Sequence, residues 1–179
     1  IPVYSVDAAY NLNETTSYIK INRFSATTYD EFVKALEENM ELGNTRNLVI
    51  DLRDNPGGYL QQATKILSQL FPQKGQLLVY TQGRNSRKVE YKTNGRAFYN
   101  IQNVAVLIDE GSASASEIVA GAVQDRDRGI IVGRRSFGKG LVQEQYPLSD
   151  GSALRLTAGL LSTSDAAAQQ TRAVLAGGR

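Results

Sequence analysis

Residues 18–23 read YIKINR, apolar and polar by turns, and a period of two marks a strand with one buried face. Thr28 and Glu31 then stand at capping-box spacing, and Phe32, Val33, Leu36 and Met40 follow at helical intervals. That pattern predicts a helix running to about Leu42 and ended by Gly43-Asn44. The run NLVIDL over residues 47–52 is almost wholly apolar, as expected of a short strand covered on both faces, and it leads into RDNPGG. Beyond Gly58, the residues Leu60, Ala63, Ile66, Leu67 and Leu70 recur at steps of three and four and predict a second helix that stops before Pro72. Residues 77–81 read as a strand, 83–86 as a turn, and 88–92 (KVEYK) as the returning arm of an antiparallel hairpin.

The second half repeats the alternation. Residues 104–109 (VAVLID) form another buried-type strand. The stretch GSASASEIVAGAVQD opens on small residues and then sets Ala115, Ile118, Val119 and Ala122 on one helical face, so a helix is expected from near Ser114. Strand-like residues 130–132 follow, then the loop SFGKG, then residues 141–148 and 154–160 as a hairpin around Ser149-Asp150-Gly151-Ser152. Strands alternating with helices predict an α/β domain with a largely parallel central sheet, flanking helices and antiparallel hairpin additions. One domain over residues 1–160 is expected. Residues 161–179, rich in Ala, Gln, Ser and Gly, form a tail without an assigned role.

Composition narrows the chemistry. The 179 residues are 41% apolar, enough for one sizeable core, and the net charge is only +2 with basic residues scattered among acidic ones. Nucleic-acid binding is disfavoured, because no basic stripe is present to track phosphates. No apolar run approaches the roughly eighteen residues of a membrane span. The chain contains neither Cys nor His. That excludes a disulfide, a thiol nucleophile, a Ser-His-Asp triad and a histidine metal site. A hydrolytic base, if there is one, must be Lys, Asp, Glu or a borrowed group.

Three segments carry candidate chemistry. Ser114 follows a buried strand, sits among Gly and Ala, and begins a helix whose first amides, that of Ala115 among them, are free to face an oxyanion. The bland alternative is a helix cap, since Ser114 and Glu117 also have capping-box spacing. Lys139 lies between Gly138 and Gly140 beside Phe137, Leu141 and Val142, without an acidic neighbour in a local helix or hairpin. Partial burial destabilises an ammonium and favours a neutral amine able to accept a serine proton. The alternative is a surface lysine in a glycine turn; the spacing is not that of a phosphate loop. RDNPGG offers glycine amides at the carboxyl edge of a sheet, where a second oxyanion donor would sit, and reads equally as a tight strand-to-helix turn with Asp54 as a cap.

Taken together, YIKINRFSATTYDEF, LVIDLRDNPGG, VLIDEGSASASEIVAGAVQD and IVGRRSFGKGLVQ resemble the tail-specific, or C-terminal processing, serine peptidases, and the resemblance runs to near Leu160. It implies a fold akin to crotonase and Clp-type peptidases. It also implies a Ser–Lys dyad with Ser114 as nucleophile and Lys139 as general base, Ser112 and Ser116 being nearby decoys. Gln143, the Gln of GKGxxQ, is implied to orient the lysine, and Ala115 with Gly57 or Gly58 to form the oxyanion hole. Glu117 and Asp125 match acidic positions of the family and are expected to be structural supports. The family's substrates are proteins or peptides with apolar C-termini, cleaved through an acyl-enzyme without metal or cofactor. Its members carry a PDZ domain, which no segment here has the length to be, and work in the bacterial cell envelope or periplasm. TAGLLSTSDAAAQQ departs from the segment that usually closes the family's core. A ligand-binding module of the same fold, without catalysis, is the competing reading, and a crotonase-like acyl-CoA hydrolase is a weaker third.

Overall fold

The computed structural model describes residues 4–83 and 87–162. The predicted turn at 83–86 is described only at Gly83, and the tail from 163 onward lies outside the described residues. The elements run β1 (Val6–Asn13), β2 (Thr16–Ile21), α1 (Thr28–Glu41), β3 (Asn47–Asp51), α2 (Leu60–Leu70), β4 (Leu77–Gln82), β5 (Val89–Lys92), β6 (Asn103–Ile108), α3 (Ala115–Asp125), β7 (Ile130–Gly133), β8 (Leu141–Pro147) and β9 (Ala153–Ser162).

β2, β3, β6 and β7 pair in parallel, with β1 antiparallel at one edge, in the order β1-β2-β3-β6-β7. Each parallel step is bridged by a segment containing a helix, as a parallel connection requires. α1 packs on β1 and β2, α3 on β6 and β7, and α2 between the two helices. Under this layer one face of the sheet is dry: Ile19, Ile21, Leu48, Ile50, Val106 and Ile108 are all at most 1% exposed. The expectation that residues 47–52 are covered on both faces is corrected here. Val49 is only half-buried, and so are Tyr18, Ala105 and Leu107 on the same outer face, because all three helices lie on the other side.

A second, four-stranded antiparallel sheet, β5-β4-β9-β8, joins the predicted β4–β5 and β8–β9 hairpins through a β4–β9 ladder. Two local expectations also shift. α1 is capped at Thr27, one residue before the predicted Thr28. The buried Thr28 hydroxyl instead accepts the Ser25 N–H at 2.7 Å, while Glu31 reaches back to the amides of Ser5 and Val6 at 2.6 and 2.9 Å. β1 has no clean alternation in its sequence and is broken by two register shifts.

Candidate active site

The carboxyl ends of β3 and β6 deliver two turns that lean on each other. Asp109 closes the first contact: its Oδ1 accepts the N–H of Asp54 at 2.9 Å and of Gly111 at 3.0 Å. Asp54 is held at φ +59° by this bond and does not cap α2, whose N-cap is Tyr59. Asn55 closes the second. Buried completely, it donates to Ile21 O at 2.7 Å, accepts Gly57 N–H at 2.8 Å on its side chain, and accepts Ala113 N–H at 2.9 Å on its carbonyl. Neither Asn55 nor Asp109 was singled out from the sequence. The only cue was their place in polar turns directly after apolar strands.

The three serines of GSASASE separate cleanly. Ser112 is fully buried, its hydroxyl donating to Leu52 O at 2.7 Å and accepting the Asp109 N–H at 3.0 Å. Ser116 is fully buried too, its hydroxyl donating to Asn55 O at 3.0 Å. Ser114 is half-buried and stands at φ 54°, ψ −110°, a conformation L-residues avoid, as the N-cap of α3. The capping box that the Ser114–Glu117 spacing offered is formed here, the Ser114 side chain meeting the Glu117 main chain and the Glu117 side chain the Ser114 N–H, so Ser114 is a helix cap held in a strained conformation.

Gly57 makes that turn possible. It has φ +94°, and a Cβ there would lie 2.8 Å from Ser114 Cβ and 2.9 Å from the Ala115 nitrogen, so the NPGG backbone touches the Ser114 turn. The Gly57 N–H is committed to Asn55. Among the described residues, the N–H groups of Gly58 and Ala115 have no hydrogen-bond partner.

Glu117 draws in the third segment. Its Oε2 accepts the Ser114 N–H at 2.8 Å and the Lys139 N–H at 2.8 Å; its Oε1 accepts the Gly138 N–H at 2.6 Å and the Ser136 hydroxyl at 2.7 Å. Phe137 N–H donates to Ser112 O at 2.9 Å. One carboxylate thus fastens the FGKG loop to the start of α3. Lys139 itself is half-buried. Among the described residues, no hydrogen bond joins its amine to the Ser114 hydroxyl, and none joins it to Gln143, which is exposed on β8 opposite Thr157. Asp125 ends α3, about 16 Å along the axis from Ser114 at the usual helical rise, and so lies away from this cluster.

Beside the NPGG turn is a charged knot that sequence reasoning did not flag. Asp51, fully buried at the end of β3, accepts the Tyr18 hydroxyl at 2.6 Å and Arg53 Nη2 at 2.6 Å. Burial alone would raise the Asp51 carboxyl, but the Arg53 guanidinium and the Tyr18 hydroxyl outweigh it and hold it down at about 2. Burial, followed by the bond to Asp51, pushes the Tyr18 phenol up to about 12. The knot ties β2 and β3 together at the mouth of the RDNPGG turn.

Comparison with known proteins gives the family. Residues 15–175 match the model of peptidase family S41, and the chain belongs to that family. It is 40% identical over 144 residues to the carboxyl-terminal-processing protease of a Synechocystis species, covering 80% of this chain and 33% of that protein. It is 44% identical over 146 residues to the carboxy-terminal processing protease CtpB of Bacillus subtilis, covering 80% of this chain and 29% of that one. Among solved structures it resembles a photosystem II D1 C-terminal processing protease with a TM-score of 0.70 and 32% identity, over 83% of this chain and 38% of that chain. The chain therefore spans about a third of the length of these relatives. Its fold is that of the family: an α/β core with a mostly parallel central sheet and antiparallel hairpins.

Proposed function

We propose that residues 1–160 are the cutting core of a serine endopeptidase that processes protein C-termini, with Ser114 as nucleophile and Lys139 as general base. The observation that carries this reading is the Glu117 carboxylate, which holds the main chains of Ser114 and Lys139 on one oxygen, each at 2.8 Å. A nucleophile needs a matched base within reach, and the absence of His leaves Lys as the fitting partner.

In the proposed cycle the neutral Lys139 amine takes the Ser114 proton as the Ser114 oxygen adds to the scissile carbonyl. The amides of Ala115 and Gly58 receive the developing oxyanion; Gly58 is preferred to Gly57 because the Gly57 amide is already bonded. Lys139 returns the proton to the leaving amine, an ester to Ser114 remains, and water, deprotonated by Lys139, releases the second product. The main chains are already joined, so closing the Ser114–Lys139 contact falls to the flexible lysine side chain. Gln143 is assigned to orient that amine once closed, and Glu117 is a positioning residue. Asp125 is assigned to helix support. The substrate is an unfolded protein or peptide with an apolar C-terminus, presented by a PDZ domain in the longer protein, in the bacterial cell envelope.

The test is cleavage of an unfolded protein bearing an apolar C-terminus, followed by mass spectrometry, for the wild type, Ser114→Ala and Lys139→Ala. Both variants should lose cleavage. Equal cleavage by the wild type and Ser114→Ala would remove the nucleophile assignment, and unchanged cleavage by Lys139→Ala the base.

A further inference from the structure

We propose that the open edge of β8 is the seat of the substrate, where an unfolded polypeptide adds as an extra strand and is carried toward Ser114. This inference rests on the reading of the site given above. Sheet order leaves β8 at an edge, paired among the described strands with β9 alone. An unpaired edge is a template for another chain, and folded proteins usually blunt it.

The other edges are blunted or small. β5 carries Glu90 and Lys92, and Glu90 is linked to Lys88, just before the strand, and to Lys92 by ion pairs of 3.1 and 2.7 Å. β1 is interrupted by two register shifts, and β7 has only four residues. β8 runs for seven residues as LVQEQYP, with a single register shift against β9 between Val142 and Gln143. Its first half holds neither Lys nor Pro, while Pro147, which cannot donate to a ladder, stands at the far end.

The open half is also the half next to the chemistry. β8 begins immediately after Lys139-Gly140, and the loop that feeds it is fastened through Ser136, Gly138 and Lys139 to the Glu117 carboxylate. The strand's entry is therefore fixed relative to Ser114. At that same end Leu141 and Leu160 face each other across β8 and β9 while 41% and 63% exposed, and Phe137 just upstream is 70% exposed. A strand laid along β8 would cover apolar surface here with every second side chain. The substrate class that fits is an extended chain with apolar residues at alternate positions beside the cut.

The test uses the Ser114→Ala chain, so that binding is read without cleavage, and a fluorescent ten-residue peptide with apolar residues at alternate positions. Single N-methyl groups are moved along its backbone and affinity is followed by anisotropy. Hydrogen exchange is measured with and without saturating parent peptide. Strand addition predicts a period of two, roughly tenfold weaker binding for methyl groups facing β8 and little change at the positions between. It also predicts new protection at alternate amides of β8. Penalties without that period, β8 amides left unprotected at saturation, or no binding of the parent peptide would each overturn the proposal. So would concentration-dependent dimerisation that protects β8 without peptide, which would assign the edge to a second copy. None of these outcomes bears on the dyad, which is tested by cleavage.

Discussion

Glu117→Ala removes the carboxylate to which both the Ser114 turn and the FGKG loop are bonded, and leaves the main-chain bond from Phe137 N–H to Ser112 O in place. Four donors lose their acceptor: the amides of Ser114, Gly138 and Lys139 at 2.8, 2.6 and 2.8 Å, and the Ser136 hydroxyl at 2.7 Å. Hydrogen bonds to a charged group contribute about 1.5–3 kcal/mol each when buried. This carboxylate is half-buried and the freed donors can reach water, so about 1 kcal/mol each is the fitting figure. The variant should lose about 2–4 kcal/mol in urea unfolding. If about 3 kcal/mol of that binding is what keeps the Lys139 segment against Ser114, kcat falls roughly 10²-fold. The assay is a progress curve over a range of peptide concentrations beside a urea titration. KM should move less than about threefold, because the carboxylate holds the machinery and not the substrate. Glu117→Gln, with one acceptor kept and a donor turned toward donors, should fall between. A Glu117→Ala enzyme with kcat within about threefold of the wild type would refute the reasoning, even if its stability had dropped.

Ser114→Gly should abolish cleavage yet raise stability by about 1 kcal/mol, since it relieves φ 54° at little capping cost; a lower urea midpoint would count against strain at this turn. Gly57→Ala and Gly138→Ala both place Cβ at positive φ, +94° and +88°. The first meets Ala113 O at 2.6 Å, whereas nothing lies within 4 Å of the second. Thermal unfolding should show a loss of several kcal/mol for Gly57→Ala against about 1 kcal/mol for Gly138→Ala, and equal losses would contradict the close contact. Asp51 titrates at about 2 folded against 3.8 as a free side chain, so its contribution is complete above about pH 4 and is lost as pH falls through 2. Acid titration followed by circular dichroism should show that loss in the wild type and not in Asp51→Asn, which should be less stable at neutral pH.

The alternating strands and helices were legible because the sheet is built from local patterns: apolar runs for β3 and β6, three-and-four spacing for α2 and α3. What escaped is non-local. Joining β4 to β9 depends on sheet assembly, which leaves no mark in either strand's own period. β1 escaped because an edge strand open to solvent needs no clean alternation, and residues such as Tyr10 and Leu12 stay about half exposed. Residues 47–52 look the same whether one or both faces are covered. At the site, the motifs placed Ser114 and the FGKG loop in one neighbourhood, and Glu117 proved to be the group that joins them. The roles of Asn55 and Asp109 lie in bonds between turns that are distant in sequence. The backbone strain at Ser114 has no signature in a string of Ser and Ala.

The most direct measurement is peptide mapping after reaction with a serine-directed fluorophosphonate. The account predicts a single adduct on Ser114, formed at least about 10²-fold more slowly in Lys139→Ala. An adduct on Ser112 or Ser116, or labelling of Ser114 that is undiminished in Lys139→Ala, would contradict it.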